Sequence, residues 1–561
     1  MSELVIRGGM VVDGTGRPAV RADVRVRDGL IAEVGPNLRG DEQLDASGCV
    51  VAPGFLDIHT HYDPQVLWDR WLTPSSFQGV TGVVMGNCGF SIAPCRPEHQ
   101  GSLLRTLDKV EDMRVPTLEA GVDWSFETYP QYLDRVASAG TAINVGGYIG
   151  HTPLRMWAMG EAAWERPATD AELELMREQI RGALAAGAIG FSTDRSPFHR
   201  GDGGRIVPSA VAEQSEVETL MRVCADEARG IVHCAPGESF HWLYDFQLSL
   251  GRPITWSAIL AYPKGAQSKA WWADKIEVHR SGLRRGADVH PQVTCRPLTF
   301  SVMMSEPTVF AMVPSFAAPL GTDHRGRLAV YADPEWRAKA RDEIHHGGFV
   351  DARFETFTVG ESRHPELVGR SILELAAQRG VDPFDVVCDI AIADDLTTRF
   401  TITFGNDDVD AVAELLQAEG CVLGLSDAGA HTGQICDALM PTDFLSQWVR
   451  DRQLMPMEHG LRRLTGELAD LLGLPGRGYV APGRFADLVV LDWDRLAPGP
   501  VRRVRDLPGG GERLVTDQPE GVVHVVVNGT PIRRDEHQLD DLSRLPGGRL
   551  AAPPTSAGAF S

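Results

Sequence analysis

Apolar residues alternate with charged or polar ones at the start of the chain: LVIRGGMVV from Leu4, the turn DGTGRP, then ADVRVRDGLIAEVG. Successive strand side chains face opposite ways, so this two-residue period predicts short strands with one buried face as far as Val34. The same texture returns far downstream. RFADLVVLDWD (Arg484 to Asp494) and GVVHVVVNGTPI (Gly521 to Ile532) repeat it, with Asn528-Gly529 as a hairpin turn. Two distant β-rich ends are therefore expected to build one small β-sandwich, from residues 1–52 and 474–536.

Between them, over 53–473, strand-like apolar runs alternate with helical stretches, the pattern of βα units around a parallel sheet. The expected fold class is α/β, a TIM (β/α)₈ barrel. One helix is especially well signalled. Thr169 and Glu172 form a capping box ahead of Leu173, Met176, Ile180 and Leu184 at helical spacing, Gly187 supplies a stop, and the strand AIGFST follows. From about 298 to 353 scattered Pro and Met break the rhythm, which reads as an insertion over the barrel mouth. Residues 537–561, ending in Pro, Gly and Ala without periodicity, read as a flexible tail.

Length and charge narrow the function. A chain of 561 residues, 43% hydrophobic, can bury a large core. Its 54 Lys and Arg against 76 Asp and Glu leave a net charge of -22, which argues against nucleic acid or an anionic membrane as partner. A small molecule is the expected ligand. No basic-then-apolar leader and no apolar run of about 18 residues is found, so the expected location is cytoplasmic. Nine scattered cysteines without CxxC spacing suggest reduced core residues rather than disulfides. A homo-oligomer is compatible with all of this.

Barrels of βα units carry their catalytic groups at the C-terminal ends of the strands, so apolar runs finishing in His, Cys or Asp are the signal to seek. PGFLDIHTHYD supplies His59 and His61, which share one strand face while Thr60 takes the other. VTGVVMGNC ends in Cys88, GIVHC carries His233, and CVLGLSD ends in Asp427. Bland readings compete: a hydrogen-bonded histidine pair, a buried thiol, a helix N-cap. Five ligand-type residues on four strand ends favour a metal, since a carboxylate ending an apolar strand is costly unless paired or metal-bound. His290, in GADVHPQVTCRPL, also ends an apolar run. Trp157, Trp242, Trp256, Trp271 and Trp272 fall near the strand ends, where an apolar pocket competes with ordinary packing.

The ordered set PGFLDIHTHYD, GVTGVVMGNCGFSIAP, GHTPLRMWAMG, GAIGFST, PELVGRSILELAAQRGVDPFD, LGLSD and APGRFADLVVLD resembles the metal-dependent amidohydrolases of the N-acyl-D-amino-acid deacylase (D-aminoacylase) family. The resemblance implies a TIM barrel with a β-sandwich from both chain ends. It also implies hydrolysis of a C–N amide bond other than a peptide bond, in an N-acyl amino acid or related amide. The implied zinc ligands are His59, His61, Cys88, His233 and Asp427, holding one or two Zn2+ ions, one of them more fully occupied. Zinc accepts these donor types and lowers the pKa of its water from 15.7 to about 7, making metal-bound hydroxide the expected nucleophile. Asp427 is the expected proton shuttle to the leaving amine. The resemblance also casts His151, in GHTPLR, as an oxyanion donor or substrate-orienting group.

Two departures from that family stand out. Its sixth strand supplies a histidine in a segment like SHHK, whereas ITWSAILAYPKG here offers Trp256 and Ser257. Its eighth-strand loop carries an HPR-like stretch whose arginine grips the substrate carboxylate, whereas AGAHTGQICDALMP has Thr432 and Gly433 after His431. Trp256 at the vacated ligand position, Arg155, Arg296 and His290 are the candidate substrate-binding residues. Two alternatives stay open beside the deacylase: a cyclic amide or imide hydrolase of the same superfamily, and a binding protein that kept the barrel but lost hydrolysis. The retained Asp427 argues for hydrolysis.

Overall fold

The computed structural model of the chain describes residues 3–197, 199–263, 271–307, 310, 313–346 and 353–551. Eight parallel strands follow one another in chain order across a single curved sheet. They are β1 (Phe55–Asp57), β2 (Val80–Met85), β3 (Asn144–Gly150), β4 (Gly190–Asp194), β5 (Ile231–Ala235), β6 (Ile254–Trp256), β7 (Val289–Val293) and β8 (Val422–Leu423). Just past the two outer strands, Thr60 and Ala428 form a parallel bridge, and the His61 amide donates to the Ala428 carbonyl at 2.8 Å. The chain thus has the TIM-barrel-like α/β fold that the alternation predicted. Strands β2 to β5 are buried at every position, as a parallel sheet covered on both faces requires.

The helix Asp170–Ala185 begins at the expected capping box, with both reciprocal Thr169–Glu172 bonds made. It buries Met176, Ile180 and Leu184, and β4 follows after Gly187, whose φ of 100° suits glycine.

Both chain ends enter one nine-stranded sheet. Val50–Pro53 lies parallel to Leu4–Val11 and antiparallel to Leu488–Leu491, with Val51 opposite Val490. Ile6, Val24, Val51, Leu488 and Val526 form its core. Asn528-Gly529 turns between Val522–Val527 and Thr530–Arg534 as the pattern indicated. The sheet delivers the chain from Pro53 directly into β1, and so fixes where the two histidines emerge.

The excursion between β7 and β8 runs further than the expected 298–353. Thr299–Met303 and Thr358–Glu361 both pair with Arg399–Thr403, and Phe316, Trp336, Phe384 and Phe400 belong to a separate core. The helical pattern from 365 onward reads like one more barrel unit, which is why the sequence placed the boundary early.

The expected flexible tail is corrected over 545–551. Gly547 donates to the Thr141 carbonyl, Leu550 to the Val145 carbonyl, and Val145 to the Gly548 carbonyl. Leu545 and Leu550 are buried. The Leu550 side chain fills the space that Gly82 and Gly146 leave near the N-terminal ends of β2 and β3, at the end of the barrel away from His59 and His61. Residues 552–561 lie outside the described part. Among the described residues, no helix is long and apolar enough to cross a membrane.

Candidate metal centre

The chain leaves β1 into the barrel mouth, and His59 and His61 project to the same side with ring centroids 5.4 Å apart. Cys88 follows β2, Asp427 follows β8, and His233 lies within β5. Donor atoms of His59, His61 and Cys88 all lie within 4.8 Å of one another. The Cys88 Sγ is 3.4 Å from His59 Nε2 and 3.9 Å from His233 Nε2. The Asp427 Oδ1 is 3.1 Å from His59 Nε2 and 3.7 Å from His61 Nε2. Four strand ends thus bring nitrogen, sulfur and oxygen donors to one place. Ligands roughly 2.0–2.3 Å from a shared zinc would stand about 3.3–3.8 Å apart, so the donor set and its spacing both fit that ion.

The backbone bends to achieve this. Cys88 and Asp427 hold left-handed φ values of 53° and 46°, which costs a side-chain-bearing residue about 1–2 kcal/mol each. Gly429 lets the β8 loop pass His61, because a Cβ there would meet the His61 carbonyl carbon at 2.7 Å.

Charge is concentrated here. Burial alone would lower the His59 pKa, but Cys88 and Asp427 outweigh it and raise it to about 10. His61 is likewise raised against burial, chiefly by Glu111. Burial opposes ionisation of Cys88 and Asp427, yet His59 pulls both well below their ordinary values. Thiolate and carboxylate, the forms that bind a metal, are therefore favoured.

The rings are oriented from behind. His59 Nδ1 meets the Gln292 Oε1 at 2.5 Å, leaving Nε2 for the centre. His61 Nδ1 faces the Glu111 Oε1 at 3.6 Å, and the other Glu111 oxygen stands 3.7 Å from His431 Nε2. An amide partner such as Gln292 holds a metal-binding imidazole in one tautomer, whereas Glu111 acts on His61 through its charge alone. The Ser257 Oγ lies 3.4 Å from His233 Nε2 and 3.7 Å from Cys88 Sγ, at the position where a sixth-strand histidine was sought.

Five other expectations are corrected. Trp256 is fully buried, stacks on Phe240 at 5.0 Å and donates to the Tyr244 hydroxyl, so it packs between strand and helix while its neighbour Ser257 faces the centre. His151 spends both ring nitrogens, on Thr193 Oγ1 at 2.9 Å and Glu216 Oε1 at 3.1 Å, and has none left for a substrate. Arg155 is buried against Glu216 and the carbonyls of Ala163 and Arg166. Arg296 is held by Asp437 at 2.7 Å and Asp443 at 3.0 Å. His290 bonds Asp288 and the Gly420 carbonyl, near the start of β7 and away from the mouth.

Gln292, two residues further along that strand, is the one whose side chain reaches His59, and nothing in the sequence around it signalled that. Glu111 had no signal either, since KVEDMR reads as a solvated charged stretch.

A model described as the amidohydrolase family matches residues 42–287 and 332–533. The chain belongs to the amidohydrolase family and is a hydrolase of C–N amide bonds other than peptide bonds. Within that family it is D-aminoacylase-like. It is 29% identical to the D-aminoacylase of Alcaligenes xylosoxydans xylosoxydans over 95% of each chain. It is also 29% identical to the N-acyl-D-glutamate deacylase of the same organism, over 94% of this chain and 93% of that one. A crystal structure of D-aminoacylase, described as defining a novel subset of amidohydrolases, superposes with a TM-score of 0.67 at 26% identity, covering 97% of this chain and 99% of that one. The N-acyl-D-glutamate deacylase of Bordetella bronchiseptica, complexed with zinc and a phosphonate inhibitor, gives 0.66 at 26% identity over 98% and 99%.

Proposed function

We propose that the chain is a zinc-dependent hydrolase of N-acyl amino acids or closely related amides. In this reading His59, His61, Cys88, His233 and Asp427 hold the metal, and Asp427 moves the proton. The carrying observation is the Asp427 Oδ1 standing 3.1 and 3.7 Å from the two β1 imidazoles. A zinc ion held there would supply an ionised water near neutral pH and polarise the amide carbonyl. Asp427 is partly exposed on the mouth side, so its carboxylate can take a proton from water and deliver it to the departing amine nitrogen. Gln292 keeps the His59 Nε2 turned inward while it does so, and the Glu111 charge faces His61 from behind. Ser257 is a weaker ligand than an imidazole, which favours one well-held ion, with the position near Cys88 and His233 less fully occupied. The relatives' names support the amide class, and the zinc-bound deacylase supports the metal. The reading includes the sandwich and the domain division expected from the sequence, with the nine-stranded end sheet as its support.

Metal analysis of protein purified without added zinc, with turnover of an N-acyl amino acid panel, tests this. We expect about one zinc per chain, and an Asp427→Asn variant that retains metal while kcat falls about 10²- to 10⁴-fold. Equal turnover by metal-free protein or by the variant would sink the reading.

A further inference from the structure

The centre leaves one buried acid and one histidine at the mouth unused. Ser192 in β4 faces the loop that carries Cys88, accepting from the Gly89 amide at 3.1 Å, whereas Phe191 and Thr193 face His151 on the other side. Asp194, two residues beyond Ser192, therefore faces the mouth as well. The approach is close: a Cβ at Gly89 would meet the Asp194 amide nitrogen at 2.9 Å. The Asp194 carboxylate is fully buried, accepts from the Ser196 amide at 2.8 Å, and binds His199 Nδ1 at 2.6 Å.

His199 is placed like a ligand-binding group. Its side chain is 39% exposed, and its ring lies 6.1 Å from Phe90, two residues past Cys88. Its carbonyl accepts from Val207, and Arg200 bridges to Ile206, so a short hairpin holds it. Among the described residues no hydrogen bond is made by its Nε2. Burial would lower its pKa, but Asp194 overrides this and raises it to about 9, with Cys88 and Glu111 adding to the effect. A buried carboxylate needs such a cation beside it. Meanwhile the guanidinium sought after β8 is absent from Thr432 and Gly433, and Arg155 and Arg296 are locked in ion pairs.

We propose that His199, aligned by Asp194, is the substrate-anchoring group of this enzyme, its Nε2–H donating to the carboxylate of the acylated amino acid. This rests on the amide-hydrolase reading above. It differs from that reading in predicting a contact made from the β4 loop, independent of the proton shuttle.

The test uses two probes on the metal-loaded full chain: an N-acetyl-D-amino acid, and the matching N-acetyl amino alcohol that lacks the carboxylate. His199→Gln is expected to raise KM for the carboxylate probe about 10- to 100-fold, the loss of one charge-assisted bond, with kcat and the alcohol probe within about twofold of wild type. Asp194→Asn is expected to shift KM in the same direction by less. Equal losses on both probes, or a loss confined to kcat, would overturn the proposal. If wild type hydrolyses neither probe, the function reading fails separately. Calorimetric titration with the carboxylate probe then decides: weaker binding by His199→Gln supports the anchor, and unchanged binding overturns it.

Discussion

Strand side chains alternate, and past β6 that alternation turns Ser257 rather than Trp256 toward His233 and Cys88. The histidine pair was legible because a two-residue spacing in a strand has only one geometric meaning. The sixth-strand position was not, since the segment ITWS does not show from sequence which of its side chains faces inward. With the Ser257 Oγ 3.4 Å from His233 Nε2, a Ser257→His variant should present a second imidazole beside Cys88. Metal content measured by mass spectrometry should rise from about one ion per chain toward two. Glu111 was illegible for a different reason: its partner His61 is distant in sequence, and only the fold brings them together. Replacing it by Gln keeps the shape and removes the charge facing His61, so competition with a chelator should show metal affinity about 10- to 100-fold weaker.

Between elements, the tie among Glu216, His151 and Arg155 joins the helix Gln214–Asp226 to the helix His151–Met159. The family resemblance pointed to His151, and the missing β8-loop arginine made Arg155 a candidate substitute, but both belong to this packing layer. Burial alone would raise the Glu216 carboxyl, yet His151 and the Arg155 guanidinium hold it at about 2, below its ordinary 4.5. A lowered carboxyl contributes stability that is present above pH 4.5 and lost as pH falls through about 2. Glu216→Gln lacks that contribution, so its Tm deficit against wild type should shrink across that window in a thermal series. The unit from Thr299 to Thr403 shows the limit of pattern reading at this scale. Its helices have ordinary amphipathic spacing, and nothing local says that they pack on three antiparallel strands instead of the barrel.

At the scale of the whole molecule, the βα alternation and the β-rich ends were readable because each repeats a period many times. The tail was not, since Leu545 and Leu550, spaced by PGGR and followed by Ala and Pro, carry no period. Leu550 nevertheless seals the lower end of the barrel, where its neighbours include Ile189 and Ile231. Leu550→Ala should cost about 2–5 kcal/mol, measurable as a lower midpoint in urea if unfolding is reversible, and should leave KM unchanged.

The pairing of Val50–Pro53 with Leu488–Leu491 also sets a timetable. The ribosome makes the first partner on the order of 400 residues before the second, a wait of roughly 20 to 90 seconds at cellular elongation rates. Until then the peptide carrying His59 and His61 has no anchor on that side. A nascent chain stalled short of Leu488 would therefore expose both imidazoles to any ion or chaperone, and the gathering of His59, His61 and Asp427 should be among the last events in the birth of this enzyme.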